Sequence, residues 1–374
     1  MEHVASPRDP DRAAAAVAAK PRPLARVEWV DYAKGICIFF VVMLHVNDLV
    51  QERTHAAGWL AHVVAFALPF RMPDFFLIAG LFVSSALRRP WRHYLDRKVI
   101  HFFYFYAVWM TLEFVVLDLH HLHALHTGAP GIALTYVRRF ADPAGPLWFI
   151  HILPVFFVLT RLTRAVPPWL MWLGAVALHS LQIKTGWHVP DQLGARYVYF
   201  YSGYVLAPRV FRIAEWSYDR VPAALALLVV WALGNGLVVA AGWSTLRFVS
   251  LALGYAGALA VITTAVMLSK LAWTRPLRYL GQHSIVVYLG DVGVSMIVVS
   301  LLRPLIADVG TLALVSTVAT VVGAVVLWRV AIRTPARLLY ERPRRWRLTD
   351  DREPPRSPQG SAAGAVDQPI TAMM

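Results

Sequence analysis

One predicted helix near the start of the chain places ionisable side chains on a single face. That face is spaced 3-4-3-4-3 along the sequence and consists of Asp31, Lys34, Ile38, Val41, His45 and Asp48. At the rise of an α-helix, Lys34 and His45 would lie ~16 Å apart along it. Because an imidazole titrates near neutral pH, it can take a proton from an attacking hydroxyl. The spacing therefore presents His45 as a candidate general base, with the possible ion pair Asp31–Lys34 towards the other end.

The surroundings of these residues are apolar, which makes each charge a functional hypothesis, since ionisable groups in a hydrocarbon core are costly. The structural alternative is that Asp31 and Lys34 mark the membrane interface while His45 only hydrogen-bonds a neighbouring helix. A lone carboxylate, Asp291, ends the segment GQHSIVVYLGD and lies near the middle of the apolar stretch 283–303. We expect it to face the cavity beside His45.

Basic residues collect in the turn that precedes the third apolar stretch. They are Arg88, Arg89, Arg92, Arg97 and Lys98. The first three are best explained by membrane topology and lipid headgroups. Arg97, Lys98 and the nearby His101 point into the start of the third stretch and are candidate ligands for a phosphate group.

For Arg71, Asp74 and Trp148, the sequence supports a structural role and a functional role equally well. Arg71 and Asp74 are three residues apart and could pair on one helix face, either beside a cavity or as a buried ion pair that shapes a kink. Trp148 could line a cavity or anchor the fourth stretch at the membrane interface.

A histidine-rich loop, HHLHALH, raises the question of a metal site. It holds His120, His121, His123 and His126. Three of them have a spacing that could collect a transition metal, but no cysteine or carboxylate pattern supports such a site. We expect no bound metal, and the single cysteine of the chain, Cys37, excludes a cysteine-based zinc cluster and an internal disulfide.

The composition shows which elements must position these residues. Of 374 residues, 58% are hydrophobic and only 16% are charged, against about 25% charged in an average soluble domain. A hydrocarbon core requires about 20 helical residues to cross. Ten apolar stretches are long enough or nearly so, at 28–50, 58–87, 93–119, 147–164, 168–184, 195–213, 221–242, 246–271, 283–303 and 310–332.

Lysine and arginine define the expected orientation, because they are enriched in cytoplasmic segments. With ten spans and both termini in the cytoplasm, 27 of the 36 cations fall on the inner side and 7 on the outer side. The net charge of +14 therefore requires no nucleic-acid partner to explain it.

The predicted fold is an all-α polytopic membrane helix bundle. Its domain organisation is a flexible tail (1–26), a transmembrane domain (27–335) and a basic, then disordered tail (336–374). The second span is expected to kink at Pro69 and Pro73.

Five segments resemble the acyltransferase-3 family of integral-membrane O-acyltransferases, which includes polysaccharide O-acetylases and glucan succinyltransferases. They are WVDYAKGICIFFVVMLH (29–45), MPDFFLIAGLF (72–82), PLWFI (146–150), FYSGYVL (200–206) and GQHSIVVYL (281–289). The first is similar to the family's basic-x10-His motif, with Lys34 where arginine is usual. In the second, Ala79 stands where serine is common. Two further departures are Lys98-x-x-His101, in place of an Arg-x-x-Arg pair, and Asp291, near a position that is often histidine.

The resemblance implies a ten-helix enzyme that uses acyl-CoA from the cytoplasmic side. It implies His45 as the catalytic base, supported by Asp31 and Lys34, and acyl-CoA as a co-substrate rather than a bound cofactor. The expected reaction moves an acyl group, most simply acetyl, to a hydroxyl of a sugar or glycan in a bacterial inner membrane. Arg97, Lys98 and His101 would bind the CoA phosphates, and Arg71, Asp74, Trp148 and Asp291 would serve the cavity or the acceptor.

Two other classes of function use the same residues. A proton-coupled transporter could employ Asp31, Lys34, His45 and Asp291 as a relay, although no inverted repeat is visible in the sequence. A catalytically inactive relative could act as a scaffold in polysaccharide assembly. The sequence leaves open the identity of the acceptor and of the acyl group, the oligomeric state, and whether transfer is direct or passes through an acyl-enzyme. It also leaves open whether Asp291 orients an imidazole, binds acceptor hydroxyls or pairs with a cation.

Overall fold

The computed structural model describes residues 25–118, 122, 128–143 and 145–349, and within these ranges the chain forms helices and no strand. The helices are α1 (Ala25–Thr54), α2 (Leu60–Ala67), α3 (Arg71–Gly80), α4 (Val83–Leu87), α5 (Trp91–Asp118), α6 (Ala129–Ala141), α7 (Trp148–Leu162), α8 (Pro168–Leu181), α9 (His188–Asp219), α10 (Val221–Ala240), α11 (Arg247–Ser269), α12 (Arg275–Gln282), α13 (Ser284–Leu302) and α14 (Val309–Ala331). The predicted all-α membrane bundle is confirmed.

Seven helical segments in the described residues are long and apolar enough to cross a membrane, or eight if the bent pair α2–α3 is one span. The stretches predicted at 168–184 and 195–213 correspond to α8, which has 14 residues, and to α9, which has 32. The count of ten spans and the cytoplasmic position of both termini stay predictions.

The second predicted span is broken where its prolines stand. Leu60–Ala67 and the helical stretch that begins at Arg71 meet at an angle of 41°. Pro69 lies in the break, and Pro73 lies in the first turn of α3, where its missing N–H leaves no hydrogen bond unmade. The predicted kink is confirmed.

Helix α1 occupies the centre of the bundle and packs against α2, α3, α11, α12, α13 and α14. Small residues allow the closest of these approaches, as is common between membrane helices. A Cβ atom added at Gly281 of α12 would overlap the carbonyl of Asp31, and one added at Gly203 of α9 would overlap the carbonyl of Leu77 in α3. The face of α1 that carries Asp31, Lys34 and His45 is therefore enclosed by protein over most of its length.

Two irregular features shape the end of the bundle where the basic residues collect, which we call the basic end. Helix α5 contains a π-helical turn at Asp96–Ile100, and such turns are frequent at functional sites. After α14 the chain forms short 3-10 turns at Pro335–Leu339 and Arg344–Trp346. Residues 336–349 belong to the predicted basic tail, yet Tyr340 and Arg342 are buried in the bundle.

Candidate active site

A cavity lies beside α1 and is bounded also by α3, α5, α7 and α13. Its wall is mostly apolar and aromatic, with Trp148 and Phe149 at the start of α7 and Phe102 from α5. Its most polar side chains are Lys34, His45, Ser284 and Tyr288. A largely apolar cleft with a few convergent polar groups is typical of a small-molecule site. Trp148 lines this cavity, as one of its two interpretations predicted.

His45 and Asp291 form a hydrogen-bonded pair at this cavity. The Nδ1 atom of His45 lies 2.6 Å from Oδ2 of Asp291, across 246 residues of sequence. The Asp291 side chain is fully buried, whereas 21% of the His45 side chain is exposed. Asp291, which the sequence predicts to face the cavity beside His45, thus contacts His45 itself. Of the three roles considered for Asp291, this contact fits the orientation of an imidazole.

The pair determines which ring nitrogen of His45 can accept a proton from a molecule in the cavity. A carboxylate that accepts a hydrogen bond from Nδ1–H holds the imidazole in one tautomer. Nε2 then keeps its lone pair and is the nitrogen available to a molecule in the cavity. Chemically, such an arrangement can act as an oriented general base, in which the buried carboxylate would also stabilise the imidazolium formed when Nε2 takes a proton.

Asp31 and Lys34 lie on the same face of α1, towards its N-terminal end. Asp31 accepts a hydrogen bond from Nε2 of Gln282 at 3.0 Å, and its Oδ2 is 3.8 Å from Nε of Arg278. The charge of Lys34 also acts on Asp31. Lys34 lines the cavity with His45, while Asp31 contacts α12 and is not among the residues that line the cavity. Of the three residues predicted to be catalytic, Lys34 and His45 therefore border the cavity directly.

The residues predicted to bind acyl-CoA lie at the basic end, next to Lys34. Lys98 is 4% exposed, and its Nζ stands 4.7 Å from the ring centroid of Phe157. The charges that act on Lys98 are those of Lys34, Arg97 and Arg89, all of them positive. His101 packs edge-to-face on Phe105, with ring centroids 4.9 Å apart. The cavity thus extends from His45 towards a cluster of like charges that favours an anion.

The structure does not form the ion pair considered for Arg71 and Asp74. Asp74 is 1% exposed, and within the described chain neither of its carboxylate oxygens has a hydrogen-bond partner. Arg71 is influenced instead by the charge of Asp48 on α1. The reason is orientation. Residues three apart on a helix can pair only when both side chains turn towards each other, and here no hydrogen bond joins Arg71 to Asp74.

Sequence reasoning did not single out three polar residues of the site. Ser284 and Tyr288 line the cavity from α13, and their spacing of four, followed by three to Asp291, was available as a helix-face signal. Glu113 of α5 lies close enough to Asp291 and His45 for their charges to act on it. A carboxylate within an apolar span is itself a signal.

The histidine-rich loop falls outside the described residues, except for Leu122. Within the part of the chain that the structure describes, no group of three or more histidine, cysteine, aspartate or glutamate side chains is placed to hold a metal ion. The expectation of no metal remains a prediction.

Comparison with known protein families identifies one that covers most of the chain. Residues 27–329 match the model of acyltransferase family 3, described as an acyltransferase domain. The inner membrane protein YcfT of Escherichia coli (strain K12) is 25% identical over 157 residues, which cover 36% of this chain and 43% of YcfT. The match therefore spans less than half the length of that relative. No solved structure gives a significant match to the chain.

Proposed function

The chain belongs to acyltransferase family 3 and is a multi-pass membrane acyltransferase, and from this premise we propose that it transfers an acyl group from acyl-CoA to a hydroxyl of a sugar or glycan, with His45 as general base. The observation that carries the proposal is the 2.6 Å contact between His45 Nδ1 and the buried Asp291 at the wall of the cavity. It presents Nε2 as the proton acceptor that a hydroxyl nucleophile needs.

The proposed step balances as a direct transfer. His45 Nε2 takes the proton of the acceptor hydroxyl, whose oxygen attacks the thioester carbonyl carbon of the acyl donor. The carbon–sulfur bond breaks, and the leaving thiolate receives the proton from the imidazolium. Asp291 keeps Nδ1–H oriented and stabilises the transient positive charge throughout, as a carboxylate does in related hydrolytic sites.

The dimensions of the site suit a CoA thioester. The cations of the basic end and the His45 base are separated by ~16 Å along α1, at the helical rise between Lys34 and His45. In CoA an extended pantetheine arm separates the thioester from the phosphate groups. We place the thioester at His45, the arm along the apolar cavity wall, and the phosphates near Lys98, Arg97 and His101.

The cellular setting follows from the same premise. The excess of cations on one side of the predicted topology favours a bacterial inner membrane with the basic end in the cytoplasm, where acyl-CoA is made. The partners would be membrane lipid and a glycan acceptor, with no role for nucleic acid. We take acetyl as the simplest acyl group for the first assay.

The test incubates the purified protein in detergent with radiolabelled acetyl-CoA and a panel of bacterial glycans. His45→Ala should lower label transfer by about 10³-fold or more, because the base is lost. His62→Ala, which changes a histidine of α2 that does not line the cavity, is the matched control and should retain full transfer. Label transfer that persists in His45→Ala would reject the assigned base. Substrate movement in sealed vesicles without any dependence on acyl-CoA would favour the transporter instead.

A further inference from the structure

The segment 335–349, which follows α14, lies beyond the residues that match the family, 27–329. It nevertheless inserts into the basic end of the bundle. The Trp109 indole donates to the carbonyl of Leu339 at 2.7 Å, and the Tyr104 hydroxyl donates to that of Leu338 at 2.6 Å. Two side chains deep in α5 thus anchor the backbone of this segment.

The middle of the segment reaches the back of the catalytic pair. A methyl group added at Gly290, the residue before Asp291, would lie 3.3 Å from the hydroxyl oxygen of Tyr340. The Tyr340 ring also packs on Trp109, with centroids 5.4 Å apart. The segment therefore fills space between α5 and α13, rather than resting on the outer surface.

Arg342 binds the π-helical turn of α5 at its first residue. Its Nη2 donates to Oδ1 of Asp96 at 2.7 Å, and its Nη1 donates to the carbonyl oxygen of Asp96 at 3.0 Å. The backbone N–H of Leu348 adds a third bond to Oδ1, at 2.8 Å. The side chains of Arg342 and Asp96 are 5% and 4% exposed, so this is a buried, two-point contact of the strong charge-assisted kind.

The contact has an electrostatic consequence for the donor site. Asp96 is the carboxylate nearest in sequence to Arg97 and Lys98, and it would be their natural counter-ion. With Arg342 bound to it, its charge is compensated, and the charges acting on Lys98 are all positive. Further along α5, the positive charges of Arg342, Lys98 and the exposed Arg347 act on His101, opposed by the negative charge of Asp96.

We propose that two residues of this segment, Arg342 and Arg347, form part of the donor site: Arg342 compensates Asp96 and holds the turn that carries Lys98, and Arg347 adds positive charge for the phosphate groups of acyl-CoA. This inference rests on the proposed function and extends its donor site beyond the family-matched residues. Arg342 is a positioning residue, because it acts through Asp96. Removing Arg342 leaves a buried, uncompensated carboxylate beside the phosphates, which repels them.

Equilibrium binding of radiolabelled CoA to the purified full-length protein in a neutral detergent tests this inference separately from acyl transfer. Arg342→Ala should weaken CoA binding about tenfold or more, and Arg347→Ala about threefold. Binding of pantetheine, which has no phosphate, should change less than about twofold in both variants. In a transfer assay the same variants should raise KM for acetyl-CoA more than they lower kcat. Arg337→Ala, an exposed arginine of the same segment, is the matched control and should bind CoA as the wild type does.

A double variant separates charge compensation from a merely structural role. Asp96→Asn combined with Arg342→Ala removes both charges, so CoA binding should recover to within about threefold of the wild type. A double variant that binds CoA no better than Arg342→Ala would overturn the electrostatic account, provided that both proteins elute as folded monodisperse species in size-exclusion chromatography.

Two further outcomes concern the source of the phosphate. CoA binding that is unchanged in both Arg342→Ala and Arg347→Ala would refute the inference. Displacement of CoA from the wild type by phosphatidylglycerol micelles would also refute it, because the surface would then bind lipid headgroups. A wild type that binds CoA in an Arg342-dependent manner but transfers no acyl group to any acceptor would support the donor site while contradicting the proposed function.

Discussion

Two buried carboxylates within the apolar bundle differ in their surroundings. Asp291 of α13 is fully buried and lies 2.6 Å from His45. Asp74 of α3 is 1% exposed, and within the described residues its two carboxylate oxygens have no hydrogen-bond partner. Both belong to helices that line the same cavity.

The comparison shows that the charge of a membrane residue does not by itself indicate its role. A buried carboxylate is costly unless it is paired or protonated. Asp291 has an imidazole that can be charged during a reaction, so its ionised form has a chemical use. Asp74 has no hydrogen-bond partner among the described residues. We therefore expect catalysis to depend on the first carboxylate far more than on the second.

The largest effect is expected for Asp291→Asn. The amide lacks the negative charge that holds the His45 tautomer and stabilises its imidazolium, so kcat for acyl transfer should fall by about 10²–10⁴-fold. CoA binding should stay within about twofold of the wild type, because the donor phosphates bind elsewhere. The matched control is Ser295→Ala, a buried side chain of the same helix whose hydroxyl donates to the carbonyl oxygen of Val292 one turn earlier. A kcat within threefold of the wild type would mean that Asp291 does not assist His45.

An intermediate effect is expected for Tyr288→Phe. The Tyr288 hydroxyl donates to the carbonyl of Pro146, just before Trp148, and thereby ties α13 to the start of α7. Loss of one such bond is worth about 1 kcal/mol, which corresponds to a roughly fivefold change in kcat/KM. Steady-state kinetics with acetyl-CoA measure it. A loss as large as that of Asp291→Asn would instead place the hydroxyl in contact with the reacting groups.

The smallest effect is expected for Asp74→Asn. An amide of the same shape carries no charge to desolvate, so kcat should change by less than about threefold and the thermal unfolding midpoint should stay the same or rise. Acyl transfer and a thermal unfolding scan on one preparation measure both quantities. If transfer fell a hundredfold in a protein that still folds, Asp74 would be as important as Asp291, and the contrast between the two carboxylates would disappear.

Much of the architecture was readable from local patterns. Apolar stretches of about 20 residues predict helices in a membrane protein, and the kink between α2 and α3 follows from Pro69 and Pro73. The shared face of Lys34 and His45 follows from helical periodicity. The family's opening motif added the expectation that His45 is the base, and that role stays a prediction for the assays above.

The site itself was only partly predictable. The sequence predicted that Asp291 faces the cavity beside His45 but left three roles open for it, and it did not single out Ser284, Tyr288 or Glu113. The Arg71–Asp74 pair, which the spacing allowed, does not form because spacing on one helix says nothing about where a long side chain turns.

The sequence by itself determined which segments are helical, where one of them bends, and which side chains share a face of α1, because each of these depends on residues within a few positions of one another. The tertiary structure alone decided that His45 meets Asp291 across 246 residues and that Arg342 returns to Asp96 at the same separation. Such long-range contacts depend on which helix faces pack together and on where small residues such as Gly203 and Gly281 let helix backbones approach each other. That information is distributed over the whole bundle, so no local pattern contains it.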